Sequence, residues 1–322
     1  MSSASSAQDM FLALKGRAQE WRQNKHQENF WSRAKGPAPL THCLPESLGA
    51  IASTRFAIVA LLSSDASNMY LKSAQKLARS IRMWIDPEQM DLVLMTTQGF
   101  GFSAQPHAGL TTNQKLLRGA GWTVFCSVPP IQHPLKRVES RFHDARTYSK
   151  LNLWALVQYE ALLFLDLDTL VIREPTRIFT EIYPEMESKG FELAATLDRP
   201  ESFSDHFNSG VLLVKPKTSV EELVSMIAKV EHDQEWADQA FLNAVFRYCF
   251  LPLPFIYNAN VISKMLEPVL WHQNQDMIAI VHYTVAKGWH SFRNMGKTGE
   301  FHRMFACWFY DMDDLCQLWE QV

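Results

Sequence analysis

Short apolar runs alternate with stretches of helical periodicity through most of the chain. The run RFAIVALLSS at 55–64 predicts a buried strand. The stretch after it repeats apolar residues at the spacing of one helix face, namely Tyr70, Ala74, Leu77 and Ile81. Two further apolar runs, MDLVLMTT and GWTVFCSV, predict a second and a third strand. This alternation is typical of an α/β domain with a doubly wound, mostly parallel sheet.

The same pattern continues in the second half of the chain. A helix is predicted from about Ser149 to Tyr159, and the run ALLFLDLDTLV that follows it predicts a strand buried on both faces. Another strand is predicted in FNSGVLLV, helices in SVEELVSMIAKVE and ADQAFLNAVFRY, and a last apolar run in MIAIVHYTV. We therefore predict a helical extension and linker at 1–54, one domain at 55–290 and a helical tail at 291–322 that packs on the domain.

Composition and charge narrow the class of protein. The 322 residues are 47% hydrophobic and 20% charged, which is enough apolar sequence for a full-sized core. The formal net charge is only −3, and the basic residues are scattered along the chain. The sequence therefore predicts no nucleic-acid partner, because such proteins present a clustered basic surface.

The cysteines and the N-terminus bear on the cellular compartment. The five cysteines are widely spaced and include no CxxC pair, which argues against a disulfide framework and against a structural zinc site. The N-terminus lacks the apolar core of a signal peptide, and no run reaches the roughly 18 apolar residues of a membrane span. We expect reduced cysteines and a soluble cytoplasmic protein, with the Golgi lumen as the alternative if an N-terminal anchor has been removed.

Two carboxylates interrupt the most apolar strand of the chain. Asp166 and Asp168 lie within LLFLDLDTLV, and buried carboxylates need a compensating cation. If the strand continues through them, both side chains project to one side while Leu167 points into the core. Two convergent carboxylates at the carboxyl end of a buried strand predict a site for a hard cation. The alternative is a structural pair with an arginine such as Arg173.

Two classes of enzyme place a DxD sequence after a buried strand. Haloacid-dehalogenase-like phosphatases have it on the first strand and follow it with another pattern, although MDDL, with Asp313 and Asp314, could imitate their later acidic motif. Nucleotide-sugar glycosyltransferases use it to hold a divalent ion against the diphosphate of the donor. The sequence around the two acids distinguishes between these classes.

Five blocks occur in one order between Tyr148 and Trp289: YSKLNLWALVQYEALLFLDLDTLV, FNSGVLLVKP, DQAFLN, LPFIYN and HYTVAKGW. In this order they closely resemble the glycogenin-like retaining glycosyltransferases of family 8. The resemblance implies a single Rossmann-like nucleotide-sugar-binding domain of the GT-A type, with a mixed, mostly parallel sheet flanked by helices.

The resemblance also implies a metal site. Asp166 and Asp168 would be ligands, with Asp166 also reaching the donor ribose, and His282 would be the third ligand. Two carboxylates, one imidazole and a diphosphate favour Mn2+, with Mg2+ as the alternative. Outside this block, a single histidine at the end of a strand would be read as an ordinary polar residue near a loop.

Further contacts with the UDP-sugar follow from the same resemblance. The expected donor-binding residues are Tyr70 on the uracil, Arg141 and Lys150 on the sugar and phosphates, Asn208, Ser209 and Gly210 on the sugar, and Lys287 on the leaving diphosphate. Gly210 would let the backbone approach the ligand closely. Three alternatives stay open: Tyr70 as a core aromatic, Lys150 as a solvated residue at a helix start, and 208–210 as an ordinary turn before a strand.

The expected catalytic residues are Asp238, Gln239 and Lys287. By resemblance, Asp238 and Gln239 lie beside the anomeric carbon. Asp238 is either a nucleophile or a stabiliser of positive charge there. Glu235 is close in the sequence to the position at which the family has a second acid. A helix N-cap is the structural alternative for Asp238. Lys287 would stabilise the charge that develops on the diphosphate. The family pattern has Pro where this chain has Gly288, which makes the placement of Lys287 less strictly defined.

The reaction implied is retaining transfer of a hexosyl unit from a UDP-sugar to a hydroxyl group. Met265 stands where glycogenin has the tyrosine that it glucosylates, and Glu267 replaces a neighbouring tyrosine. We therefore expect an external acceptor, a glycan or a protein, and related enzymes suggest a homodimer. The alternative functions are a non-catalytic nucleotide-sugar or carbohydrate-binding protein and a haloacid-dehalogenase-like phosphatase.

Overall fold

A seven-stranded sheet lies at the centre of the computed structural model, which describes residues 54–63, 68–97, 110–133, 145–198, 205–216, 218–234, 236–284 and 313–322. The strands are β1 (Phe56–Leu62), β2 (Asp91–Thr97), β3 (Val124–Val128), β4 (Ala161–Leu165), β5 (Thr169–Val171), β6 (Leu193–Leu197), β7 (Phe207–Val214), β8 (Leu251–Pro252), β9 (Ala259–Asn260) and β10 (Ile280–His282). Seven of them form the central sheet in the order β3-β2-β1-β4-β7-β6-β8.

Most pairs in this sheet are parallel. Strand β1 pairs in parallel with β2 and β4, β2 with β3, and β6 with β8. Strand β7 is antiparallel to both of its neighbours, β4 and β6. The prediction of a mixed, mostly parallel sheet is therefore confirmed. The antiparallel direction of β7 has a consequence for function, because it places the first residues of β7 beside the carboxyl end of β4.

Helices cover both faces of the sheet. The helices are α1 (Asn68–Arg82), α2 (Thr112–Ala120), α3 (Tyr183–Ser188), α4 (Val220–Ile227), α5 (Ala237–Phe246), α6 (Val261–Leu266), α7 (Pro268–Asn274) and α8 (Asp313–Gln321), with 3-10 helices at Ala145–Ala155 and Phe255–Tyr257 and a π-helical turn at Ile178–Ile182 before α3. Alternate residues of β1 belong to separate cores: Ile58 packs with α1 residues such as Leu77, whereas Val59 packs with Trp154 and Phe241. The strands are apolar on both faces because each face is covered.

The helix predicted before β4 is wrong in type and in position. A 3-10 helix occupies Ala145–Ala155 instead, and it ends before Tyr159. The Asn152 side chain donates to the carbonyl of Ser149 at 2.8 Å, and an α-helix would reserve that carbonyl for the backbone N–H of Leu153. Side chains of this kind compete with helical hydrogen bonding and favour other local structures.

The prediction of one strand over the apolar run 162–171 is wrong, because this run forms two strands. Strand β4 ends at Leu165, and β5 belongs to a second sheet of three strands in the order β5-β10-β9. In that sheet β10 is antiparallel to β5 and parallel to β9. Between the two strands, the N–H and the hydroxyl group of Thr169 both donate to the carbonyl of Asp166, at 3.0 and 2.7 Å. The two acids therefore lie in a turn.

The described residues bear on the predicted domain boundaries, on membrane spans and on the state of the cysteines. The predicted boundary at 54 is the first described residue, the one at 290 lies outside the described residues, and of the predicted tail 291–322 only 313–322, with α8, are described. Within the described ranges no helix combines the length and the hydrophobicity needed to cross a membrane. Cys126 is disulfide-bonded, so the expectation of reduced cysteines is wrong at that position.

Candidate active site

The turn that carries the two acids is fixed by strands on both sides. The N–H of Asp166 donates to the carbonyl of Gly210 on β7 at 2.8 Å, and the carbonyl of Asp168 accepts from Tyr283 N–H at 2.9 Å. Leu167 between them is buried in the core. The predicted convergence of the two carboxylates is confirmed, but it comes from this turn and not from the alternation of a strand.

His282 joins the two acids from a distant part of the sequence. One potential ligand atom from each of Asp166, Asp168 and His282 lies within 4.8 Å of the other two. The separation between His282 Nε2 and Asp168 Oδ1 is 3.4 Å, and both side chains are buried. Asp166 is 35% exposed, so the cluster opens to solvent on its side. Two carboxylates and an imidazole suit a divalent cation such as Mn2+.

Gly210 makes room for the imidazole of His282. A Cβ atom at position 210 would overlap the His282 ring. The glycine is therefore required at this position because the ring packs directly against the β7 backbone. Close approach of a donor sugar to Gly210 stays a prediction.

Lys150 is the counter-ion of two carboxylates. Its ammonium group lies 2.7 Å from Asp238 Oδ2 and 3.3 Å from Asp166 Oδ1, and it donates to the carbonyl of Ser209 at 2.9 Å. Lys150 is only 4% exposed, so the alternative of a solvated residue is wrong. Arg173 donates instead to the carbonyl of Ile278 at 2.7 Å.

The charges of this cluster shift the pKa values of Lys150 and Asp166. Burial lowers the pKa of Lys150, but the carboxylates of Asp166 and Asp238 raise it by more, so the net pKa lies above its ordinary value. Burial raises the pKa of Asp166, Lys150 opposes this, and the nearby Asp168 carboxylate adds to the increase. Asp166 therefore holds a proton more readily than a solvated aspartate, and a bound cation would favour its ionised form.

The start of helix α5 faces the start of strand β7. Ser209 Oγ donates to Asp238 Oδ2 at 3.0 Å, and Ser209 N–H donates to Gln239 Oε1 at 3.2 Å. Ala237 has a left-handed φ of 43°, an unusual conformation for a residue with a Cβ atom. The N-cap is Trp236, so the alternative of Asp238 as N-cap is wrong. The carboxylate of Asp238 lies instead in the first turn, where the helix dipole favours negative charge.

The other predicted residues divide into two groups. Asn208, Ser209 and Gly210 are the second to fourth residues of β7, so the alternative of a turn before the strand is wrong. Tyr70 lies on α1, partly buried against the apolar core, and its contact with uracil stays a prediction. The remaining candidates lie outside the described residues: Arg141, Glu235, Lys287 and Gly288.

Two polar residues of the site were missed by sequence reasoning. Asn258 lies next to the imidazole, with 2.9 Å between Asn258 Oδ1 and His282 Nδ1. Asp198 accepts from Asn208 Nδ2 at 3.1 Å. The block LPFIYN was noted for its resemblance, and its asparagine could have been singled out as the polar residue that ends an apolar stretch. No pattern near Asp198 indicates its contact.

Comparisons with known proteins are consistent with this geometry. The family model described as Glycosyl transferase family 8 matches residues 112–293. The chain is 28% identical over 229 residues to the putative UDP-glucuronate:xylan alpha-glucuronosyltransferase 4 of Arabidopsis thaliana, over 70% of this chain and 33% of that protein. It is 32% identical over 150 residues to glycogenin-1 of Caenorhabditis elegans, over 45% of this chain and 32% of that protein. The chain thus spans about a third of the length of these curated relatives.

Solved structures show the same fold. A crystal structure of the galactosyltransferase LgtC in complex with donor and acceptor sugar analogs superposes with a TM-score of 0.53 at 19% identity, covering 78% of this chain and 95% of that one. The apo structure of the bifunctional glycosyltransferase WbbM superposes with a TM-score of 0.51 at 16% identity, covering 80% of this chain and 51% of that one. The described elements therefore form a GT-A fold.

Proposed function

This chain belongs to glycosyltransferase family 8, and on that premise we propose that it transfers a hexosyl unit from a UDP-sugar to a hydroxyl group of an external acceptor. The observation that carries the proposal is the meeting of a three-ligand cation site with the buried ion pair between Lys150 and Asp238. A cation site accounts for binding of a diphosphate, and a buried carboxylate accounts for stabilisation of a sugar cation.

Asp166, Asp168 and His282 are the residues that would hold the metal ion. Mn2+ is the proposed ion and Mg2+ the alternative, because Mg2+ less readily accepts a nitrogen ligand. When bound, the ion supplies positive charge against the oxygens of the diphosphate. Lys287 is proposed to add a second positive charge beside the same leaving group.

Asp238 is held as a fixed negative charge. Among the described residues, Lys150 and Ser209 both contact its Oδ2, so Oδ1 is the oxygen that can face a sugar. A carboxylate in so close an ion pair is a weak nucleophile, and we assign it the stabilisation of positive charge at the anomeric carbon. Gln239 Oε1 already accepts from Asn208 and Ser209, so this side chain offers a ligand its NH2 group.

In the transfer step, one bond breaks and one bond forms. The bond between the anomeric carbon and the diphosphate oxygen breaks, and its electron pair leaves with UDP. The acceptor oxygen forms the new bond from the side of the departing diphosphate, which retains the configuration as the family implies. The proton of the acceptor hydroxyl passes to the leaving diphosphate. Lys150 does not need to transfer a proton in this scheme, because its ammonium group remains paired with Asp238.

A screen for UDP release tests this function. We expect release with Mn2+ from at least one of UDP-glucose, UDP-galactose and UDP-glucuronate, and a loss of about 100-fold or more in Asp168→Asn, as expected when a metal ligand is removed. The matched control is Asp276→Asn, which neutralises an exposed aspartate outside the site. Tight UDP binding without turnover would overturn the transferase and favour the non-catalytic binding protein.

The acceptor is proposed to be a separate molecule. Met265, which by resemblance matches the glycogenin tyrosine, lies on α6, packs against the core around Trp271 and offers no hydroxyl group. Intact-mass measurement after incubation with each UDP-sugar and Mn2+ should show no added hexose. Sugar attached to this chain would overturn the proposal of an external acceptor.

The position of Asp314 argues against the phosphatase alternative. Asp314 is exposed and pairs with Lys264 at 2.8 Å, whereas that chemistry would need it beside Asp166. A cytoplasmic location stays a prediction, and the disulfide at Cys126 counts against it because disulfides persist mainly in oxidising compartments. The homodimer stays a prediction as well.

A further inference from the structure

The buried amide of Asn258 touches the ring nitrogen of His282 that faces away from the two acids. We propose that Asn258 is a positioning residue that fixes the tautomer of His282, and that a backbone N–H of β7 sets the direction of this contact through Asn208. The inference rests on the proposed role of His282 as a metal ligand. Three hydrogen bonds carry it, and each one determines the polarity of the next.

The first hydrogen bond has only one possible direction. Gly210 N–H donates to Asn208 Oδ1 at 2.9 Å, and a backbone N–H cannot accept. The atom of the Asn208 amide on this side is therefore the oxygen. Its nitrogen points the opposite way, where Nδ2 lies 3.1 Å from Asp198 Oδ1 and 3.2 Å from Gln239 Oε1. Both neighbours are acceptors, which agrees with this orientation.

The second hydrogen bond transmits the polarity to Asn258. Asn208 Oδ1 lies 3.0 Å from Asn258 Nδ2. Because Asn208 presents an oxygen, Asn258 must present its NH2 group there and its own oxygen on the other side. Asn258 is 2% exposed, so water cannot stand in for a partner if the amide turns over.

The third hydrogen bond selects the protonated nitrogen of the ring. Asn258 Oδ1 lies 2.9 Å from His282 Nδ1, and an amide oxygen only accepts, so Nδ1 carries the proton. Nε2 then presents its lone pair 3.4 Å from Asp168 Oδ1. A metal ion between these two electron-rich atoms would remove their mutual repulsion. The other tautomer would place a proton on Nε2 and prevent ligation. The relay, which is the series of hydrogen bonds from Gly210 through Asn208 and Asn258 to His282, therefore keeps His282 ready to bind metal.

The same relay joins the two halves of the site. Asn208 contacts Asn258 on one side and Gln239 on the other. Gln239 also receives the N–H of Ser209, which fixes its orientation independently. The residue proposed to face the sugar and the residue proposed to hold the metal are thus connected by hydrogen bonds through the buried amides of Asn208 and Asn258. Substitution at Asn258 should therefore weaken the metal site first, because Gln239 keeps a second donor.

Two substitutions that keep the number of side-chain heavy atoms test the inference. Asn258→Leu removes the acceptor for Nδ1, and we expect Mn2+ alone, titrated calorimetrically without nucleotide, to bind about 10- to 100-fold more weakly. Asn258→Asp keeps an acceptor for Nδ1 but loses the NH2 group that donates to Asn208, so its Mn2+ affinity should lie between those of Asn258→Leu and the unsubstituted protein. The matched control is Asn274→Ala, because among the described residues the Asn274 amide bonds only within its own helix, to Leu270. Thermal melting of each metal-free protein separates loss of the relay from loss of the fold.

The tautomer itself can be measured without metal or substrate. In 15N-labelled histidine spectra, with His282 assigned by its loss in His282→Gln, we expect Nδ1 to carry the proton in the unsubstituted protein and in Asn258→Asp. A proton on Nε2, or undiminished Mn2+ affinity in Asn258→Leu, would overturn the inference. This measurement stands even if Asn258→Leu fails to fold. The proposed function fails by a different result, namely no UDP release from any donor.

Discussion

At the scale of single residues, Lys150 compensates the charge of two carboxylates. Its ammonium group is buried between Asp238 and Asp166, at 2.7 and 3.3 Å. Lys150→Met would leave these carboxylates without their shared counter-ion, and removal of one partner from a buried pair costs about 3–5 kcal/mol. Urea denaturation of the metal-free protein measures this loss in the free energy of unfolding.

The double variant Lys150→Met with Asp238→Asn separates charge from packing. If the uncompensated carboxylate causes the loss, the double variant should recover part of the stability, because the amide of asparagine carries no charge to desolvate. A double variant less stable than Lys150→Met alone would contradict this explanation. The result bears on function, since the proposed role of Asp238 depends on its remaining ionised beside Lys150.

At the scale of elements, an ion pair ties the start of β7 to the end of α5. Asp205 Oδ2 accepts from Arg247 at 2.9 Å and from the Tyr248 hydroxyl at 3.1 Å. Burial alone would raise the pKa of Asp205, but these hydrogen bonds and the charge of Arg247 bring it below its ordinary value. Strand β7 carries Asn208, and α5 carries Gln239 in its first turn, so the pair attaches the far end of this helix to the same strand.

The depressed pKa of Asp205 predicts the sign of a pH effect. A carboxylate with a lower pKa in the folded state adds stability above its unfolded value, near 3.8, and loses it as the pH falls through the folded value. Asp205→Asn should therefore reduce the free energy of unfolding by about 1 kcal/mol near pH 7, and by much less near pH 3. Denaturation at the two pH values measures this difference. Arg247→Met should show the same trend, and a loss independent of pH in both variants would contradict it.

The elements show which local signals decide structure and which do not. Five apolar residues in a row predict β4, because strands covered on both faces read as near-continuous apolar runs. The break after Leu165 was not predictable from hydrophobicity, since Leu167, Leu170 and Val171 continue the apolar pattern. Thr169 closes the turn through its hydroxyl group, and a Thr at that position has no distinctive sequence signal.

At the scale of the whole molecule, the site is assembled from segments far apart in the chain. The acidic turn, the start of β7, the start of α5 and the end of β10 meet because β7 runs antiparallel to β4 and the small sheet brings β10 beside β5. The sequence identified the metal-ligand candidates by residue type and by family resemblance. It did not identify the pairing of Lys150 with Asp238 or the relay through Asn258, because such contacts depend on strand direction and not on local spacing.

The last helix supports the strand that carries His282 from outside the sheet. The hydroxyl group of Tyr283, the residue after His282, donates to the carbonyl of Leu315 at 2.8 Å. The Trp319 ring lies 5.0 Å from the Tyr283 ring in an edge-on arrangement, and Lys76 of α1 donates to the Trp319 carbonyl at 2.8 Å. Helix α8 is therefore attached to both β10 and α1.

Trp319→Ala tests whether this attachment reaches the site. Trp319 is 3% exposed, and replacing a buried tryptophan by alanine costs about 3–5 kcal/mol in the free energy of unfolding. Because the cavity opens against Tyr283, the end of β10 should loosen and Mn2+ should bind more weakly to the protein that remains folded. Glu320→Ala, which changes an exposed side chain of the same helix, should alter stability by less than about 0.5 kcal/mol and leave Mn2+ affinity unchanged. Lower stability with unchanged Mn2+ affinity would mean that the helix stabilises the fold without positioning His282.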